Sequence, residues 1–175
     1  MAKTLADGRT KLVFLAEAPT DPEHPTAAEL NAGVDLSKAV LASPYTFGPS
    51  GSDALAEKSL ADEGNSTTYG ASNFTVAMTF FRYLLESGRS DPDADVAFKI
   101  FEAKGVHGWL YERWGPKSRV PFADGDEVRF GAEVTCDDPQ APTERTGYIK
   151  MVVPMGVDGQ SVQNVKVGAA PAAGS

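Results

Sequence analysis

The chain has a single cysteine, Cys136, among 175 residues. No internal disulfide can form, and a metal site built on several cysteines is excluded. Histidine is nearly as scarce, with only His24 and His107. Neither has a partner histidine at metal-ligand spacing. No apolar run approaches the ~20 residues a membrane helix needs. Residues 1–10 lack the apolar stretch of a secretory signal, so the expected site of synthesis is a cytoplasm. Three motifs are also missing: the phosphate-cradling Gly-x-x-x-x-Gly-Lys-Ser/Thr, the dinucleotide fingerprint Gly-x-Gly-x-x-Gly, and the nucleophile elbow Gly-x-Ser-x-Gly. Basic residues are few, 16 against 24 acidic, for a formal net charge of −8. That balance argues against a surface that holds nucleic acid by neutralising phosphates. It suits solubility, or a surface that lets a polyanion pass without retaining it.

Hydrophobic residues make up 42% of the chain, enough for one domain with a real core. The clearest pattern runs from Asn73 to Arg82. Phe74, Val76, Met78 and Phe80 recur at every second residue, with Asn73, Thr75, Ala77 and Thr79 between them. Such alternation marks a strand with one packed face and one polar or small-residue face. The segment before it, 42–72, is broken by Gly48, Pro49, Gly51, Gly64 and Gly70 and carries Asp53, Glu57, Asp62 and Glu63 against Lys58. A loop this long inside a domain is usually functional or disordered. Here it predicts an arm or hairpin that orders on contact with a neighbour.

Residues 11–17 read as a first strand, followed by a Pro-rich loop. Thr26 and Glu29 have capping-box spacing, so a helical turn is expected over 27–31. A strand is expected over 34–40. Asp91, Pro92 and the acidic first turn predict a helix over 92–104, stopped by Gly105. Strands are expected over 106–114, 127–136, 148–153 and 161–167, with a turn at 155–160. In 127–136, Val128, Phe130, Ala132, Val134 and Cys136 are expected on one face. Glu127, Arg129, Gly131, Glu133 and Thr135 fall on the other. Residues 1–10 read as an N-terminal arm, 11–167 as the domain, and 168–175 as a flexible Ala/Gly/Pro tail. The fold class is mainly β: seven or so strands in a sandwich or barrel flanked by one good helix.

Nothing in this pattern points to catalysis. Cys136 occupies a periodic apolar position, where a small buried residue is the ordinary explanation. Asp91, Asp93 and Asp95 suit a helix's first turn without a metal. Trp109, Tyr111 and Trp114 fit a sugar-stacking surface, though core and hairpin packing is the commoner role. A β-sandwich module binding carbohydrate or protein is therefore the alternative to weigh. A small hydrolase or isomerase is a further rival, but no acid–base pair stands out for it.

Two stretches, TAAELNAGVDLSKAV (26–40) and KSLADEGNSTTYGASNF (58–74), precede the long strand. The Asp-rich helix start, Lys104-Gly105 and the Tyr-Glu-Arg-Trp strand follow it. In this order, over about 11–167, the chain resembles the major tail (tail tube) proteins of long-tailed, non-contractile phages of actinobacteria. The resemblance implies a β-sandwich or barrel in which six copies form a ring. Rings stack into a tube, and each subunit lends about four strands to one inner barrel that conducts genomic DNA. About 24 strands ~4.8 Å apart and tilted ~40° give a diameter near 48 Å and a bore near 38 Å. A duplex of about 20 Å passes through that. It also implies no cofactor and no membrane. The partners it implies are the chain itself, the tape measure protein, and the tail terminator and tip proteins. On this resemblance the lumen-facing candidates are Asn73, Thr75, Ala77 and Thr79, with Glu127, Arg129, Glu133 and Thr135. The inter-subunit candidates are Asp53, Leu55, Glu57, Lys58, Leu60, Asp62, Glu63 and Tyr69.

Overall fold

Alternating and continuous apolar runs become strands here because each buries a face that water would otherwise solvate. The computed structural model describes residues 3–61 and 63–168. Its strands are β1 (Thr10–Leu15), β2 (Val34–Asp35), β3 (Thr46–Pro49), β4 (Ala54–Leu55), β5 (Thr68–Tyr69), β6 (Phe74–Phe81), β7 (His107–Trp114), β8 (Glu127–Cys136) and β9 (Lys150–Lys166). Two short helices, α1 (Ala27–Ala32) and α2 (Val96–Phe101), complete it. The protein is thus mainly β. Seven strands form one antiparallel sheet in the order β2-β1-β7-β8-β9-β6-β3, and β4 pairs with β5.

The sheet folds over on itself about β9. Residues 150–154 pair with β6 on one side, and residues 155–166 pair with β8. Pro154, which has no N–H to give to a ladder, sits where β9 passes from one partner to the other. The larger core lies inside the fold. Phe14, Phe47, Phe80, Phe101 and Phe130 meet there with Met78, Leu110, Val134, Cys136 and Val153. The rings of Phe47 and Phe130 lie 4.8 Å apart, nearly perpendicular, which ties β3 to β8. A smaller core on the opposite face of β1, β7 and β8 holds Leu30 of α1, Val13, Trp109, Tyr111, Phe122, Val128 and Val162.

The expected capping box is present. Thr26 Oγ1 accepts from the Glu29 N–H at 3.2 Å, and Glu29 accepts from the Thr26 N–H at 2.9 Å. The expected alternation in β6 also holds, with Phe74, Val76, Met78 and Phe80 all on the larger core.

Three expectations need correction. The helix over 92–104 is confined to Val96–Phe101. Asp91 caps the first turn as expected, its carboxylate accepting from the N–H groups of Asp93 and Ala94 and its carbonyl from the Asp95 N–H at 3.1 Å, but that turn does not run on into α2. Asp95 does not cap α2; buried, it accepts from Arg82 and Ser90 at 2.9 and 2.8 Å and from the Tyr83 N–H. The strand over 34–40 stops at Asp35. Leu36 and Ala39 then form a turn, bonded Ala39 N–H to Leu36 carbonyl, that buries both side chains. The turn at 155–160 is absent, and β9 is continuous. Between the Ala132–Ser161 and Val134–Val157 pairs, β8 has one residue and β9 has three, so the Gly-containing stretch is absorbed as a bulge. Gly159, at φ 98°, supplies the backbone that a side chain would resist. The segment 42–72 carries the expected hairpin. β3 and β4 run antiparallel to β6 and β5, and Ser50 to Asn73 and Asp53 to Ala71 backbone bonds join the two pairings into one ribbon.

Candidate assembly interface

The ribbon leaves the body of the protein. Of the described residues from 49 to 73, every one except Ser52 is exposed. Its root, by contrast, is held firmly. Tyr45 Oη and Arg129 Nε both donate to the Glu112 carboxylate, whose side chain is 1% exposed, and Arg129 Nη2 donates to the Phe47 carbonyl. The Arg129 guanidinium also lies 4.7 Å over the Trp114 ring. Burial, then the neighbouring carboxylate, pushes the Tyr45 phenol well above its ordinary range. It therefore stays a donor to Glu112. At the tip, Leu55, Leu60 and Tyr69 are exposed apolar side chains with no core beneath them. Asn73 fixes the bend between root and tip by donating to the Gly51 carbonyl and the Asp53 carboxylate at 3.0 and 2.9 Å.

The inter-subunit candidates Asp53, Leu55, Glu57, Lys58, Leu60, Glu63 and Tyr69 are all exposed on this arm. Asp62 lies outside the described residues. The β6 lumen candidates share one face. Asn73, Thr75 and Ala77 are exposed, and Thr79 is buried. Ala77 and Thr79 form the floor of a groove of about 570 Å³ overhung by the loop 140–144.

The β8 candidates do not form one row, which corrects the expected alternation. Arg113 of β7 pairs with Val128, and Glu112 pairs with Phe130, so Arg129 is the extra residue of a bulge. Val128 consequently joins the smaller core while Phe130 joins the larger, and Arg129 turns toward Glu112. Gly131 is covered: a Cβ there would lie 2.5 Å from the Tyr111 ring. Glu127 is exposed. Glu133 and Thr135 belong to a polar cluster around His107, whose Nε2 lies 2.9 Å from Glu133 and whose Nδ1 lies 3.1 Å from Thr135 and 3.3 Å from Asp158.

Trp109 and Tyr111 are stacked at 5.6 Å inside the smaller core, 2% and 0% exposed. Trp109 and Tyr111 thus take the core role that was the commoner expectation, and of the three aromatics weighed for sugar stacking only Trp114 reaches the surface. Sequence reasoning missed the buried charges. Arg113, fully buried, donates to Asp126 at 2.6 Å and to the Pro121 and Val120 carbonyls at 3.0 and 2.9 Å. The adjacent charges Glu112-Arg113 inside an apolar strand were the available signal. Among the described residues, no group of three or more His, Cys, Asp or Glu side chains is placed to hold a metal ion. Among them, too, no helix is long and apolar enough to cross a membrane.

A β-rich subunit with a closed double core, and a protruding ribbon that exposes apolar side chains and unpaired strand edges, defines a class: a structural protein built to associate. The sequence comparison is specific about which. The chain belongs to the phage tail tube protein family, which matches residues 1–170. It is accordingly a structural component of the phage tail, and the family implies assembly of the chain with itself into a tube. No curated protein is similar enough in sequence to match it.

Proposed function

We propose that this chain is the protomer of the tail tube of a long-tailed, non-contractile phage of an actinobacterial host. Six copies close a ring, rings stack, and the hollow cylinder conducts genomic DNA into the host. The subunit is made in the host cytoplasm and resides in the virion tail. The tape measure protein and the terminator and tip proteins are its further contacts, and DNA passes without specific binding. The observation that carries this reading is the family match over residues 1–170, joined to an exposed arm on which Leu55, Leu60 and Tyr69 have no core beneath them. The small and polar side chains Asn73, Thr75 and Ala77, with Thr79 on the groove floor, suit a lumen that must not hold phosphate. Glu127, Glu133 and Thr135 are the second candidates. Arg129 serves the clamp at the arm's root and contributes least to a lining. The arm residues Asp53, Leu55, Glu57, Lys58, Leu60, Asp62, Glu63 and Tyr69 make the contacts between copies. An acidic subunit (net charge −8) disfavours adhesion of the phosphate backbone inside the bore.

Negative-stain microscopy of concentrated protein tests the proposal. Rings or hollow tubes of uniform width are expected. A particle that stays monomeric at every concentration and salt condition tested overturns it.

A further inference from the structure

The ribbon that ends in the arm begins at a second apolar surface. Phe81, the last residue of β6, meets Tyr148 edge-on at 5.8 Å. Together with Lys38, Tyr83 and Leu84 they line a cavity of about 530 Å³. Leu85 and Ile149 flank it, and the Arg82 N–H bonded to the Ile149 carbonyl at 2.9 Å joins the two chain segments. Tyr148 is 80% and Ile149 61% exposed, and Leu84 and Leu85 are also uncovered. Isolated exposed apolar residues need no explanation, but this many in one place mark a contact surface.

β6 runs from Phe74 at the root of the arm to Phe81 in the patch, about 26 Å at ~3.3 Å per residue. The patch and the root of the arm therefore lie at opposite ends of β6. The charges of patch and arm are opposite too. Residues 51–72 hold Asp53, Glu57, Asp62 and Glu63 against Lys58, a formal −3. The segments 82–90 and 144–150, which carry most of the patch, hold Arg82, Arg89, Arg145 and Lys150 against Glu86 and Glu144, a formal +2 in a chain of net −8. Arg82 is engaged by Asp95 at 2.9 Å, and Asp91 stands on the cavity wall. Lys150 is half-buried on the wall of the neighbouring groove, so the exposed basic groups are Arg89, Arg145 and the wall residue Lys38 against Glu86 and Glu144, a formal +1.

We infer that the Phe81–Tyr148 cavity is the socket for the arm tip of a second copy of this chain. Leu60 fills the cavity, and the acidic arm lies toward Arg89, Arg145 and Lys38. Two different surfaces, joined to opposite ends of β6, make a heterologous contact, which repeats from copy to copy instead of closing on a dimer. The arm's length sets the axial spacing of that repeat. The inference rests on the proposed role of the arm as an inter-subunit contact and adds what receives it.

The test uses the full-length chain. Leu60→Cys and Tyr148→Cys are combined, with Cys136 left in place because it is buried. Assembled protein is oxidised and run on a non-reducing gel beside each single variant. A ladder beyond dimers from the double variant alone is the expected result. Separately, Ile149→Asp is expected to raise the concentration needed for assembly by about tenfold or more without lowering the subunit's melting temperature. Tubes that form normally while the double variant stays uncross-linked and Ile149→Asp assembles like wild type overturn the socket and leave the tube reading intact. Such a result assigns the patch to a partner other than this chain. Wild-type protein that never assembles removes both.

Discussion

Removing Arg129 tests whether this residue is a clamp inside the subunit or a free side chain on a tube wall. In the structure its guanidinium satisfies a carboxylate, that of Glu112, whose side chain is 1% exposed, and it reaches across to the Phe47 carbonyl of β3. Arg129→Ala leaves Glu112 in the interior with only the Tyr45 hydroxyl as donor. Breaking one side of a buried pair costs about 3–5 kcal/mol. The Arg129 side chain is 23% exposed, so water reaches part of the vacated space and the lower end applies, about 3 kcal/mol. For a domain of this size each kcal/mol moves Tm by about 2–4 °C, so a drop of about 6–12 °C is expected. The assay is thermal and urea unfolding of dilute, unassembled protein. Hydrogen exchange should also show residues 45–49 losing protection while β7 keeps it.

The companion variant is Arg129→Met with Glu112→Gln. Met refills most of the volume and Gln still accepts from Tyr45, so stability should return to within about 1 kcal/mol of wild type. With the Arg129→Met and Glu112→Gln single variants completing the cycle, the two sites should show an interaction energy of about 2 kcal/mol. A free surface arginine predicts the opposite: a change within about 0.5 kcal/mol for Arg129→Ala and simple additivity in the cycle. That pair of results would falsify the clamp.

Three further outcomes follow from the same geometry. Bonds from the Thr20 and Thr26 N–H groups, then the Thr26 hydroxyl, hold the Glu29 carboxyl at about 2, well below its ordinary 4.5. Because the folded value is depressed, its contribution is complete above about pH 4.5 and fades as pH falls toward 2. The group is poorly screened from water, so Glu29→Gln should cost only about 0.5–1 kcal/mol at pH 7, with its melting curve converging on wild type below pH 3. Gly131→Ala should destabilise by about 1–3 kcal/mol, since its Cβ would meet the Tyr111 ring at 2.5 Å and Val162 at 2.9 Å; pairing it with Tyr111→Leu should recover part of the loss, and a harmless single variant would show that β8 does not lie under Tyr111. Amides of residues 51–72 should exchange within seconds in dilute subunits and slow markedly on assembly, whereas equal rates in both states would exclude the arm from the contact.

What the sequence disclosed and what it hid separate along a physical line. β6 was legible because one face is packed and the other is not, which leaves a period of two in the residues. α1 was legible because a capping box is local chemistry, complete within four residues. β8 hid its bulge at Arg129 because both of its faces are buried near Val128 and Phe130. An apolar residue suits either core, so a change of face leaves the pattern untouched. β9 hid its continuity because Gly156, Gly159 and Pro154 read locally as a turn, and only the partner strands decide otherwise. The ribbon of β4 and β5 has no buried face at all, so periodicity had nothing to report there. Of the site, the exposed arm residues were readable as a polar, glycine-broken insertion. The clamp was not, because Tyr45, Glu112 and Arg129 are brought together from three separate parts of the chain.

The division of labour between body and arm has a consequence for stability. An edge strand with unpaired N–H and C=O groups is a hazard in a protein that must remain alone. Here the described residues of the arm between Pro49 and Asn73 include no core residue, whereas Phe47 and Phe74, at its root, are built into the larger core. The subunit therefore does not need the arm to fold. Shortening 56–67 to a two-residue Asn-Gly turn removes exposed chain and closes a tight hairpin between Leu55 and Thr68. The melting temperature of such a variant should equal or slightly exceed that of wild type, because less loop entropy is lost on folding. Assembly should fail, because Glu57, Lys58, Leu60, Asp62 and Glu63 are gone. If the shortened subunit instead unfolds, the arm belongs to the fold; if it still builds tubes, copies are held together by the body alone.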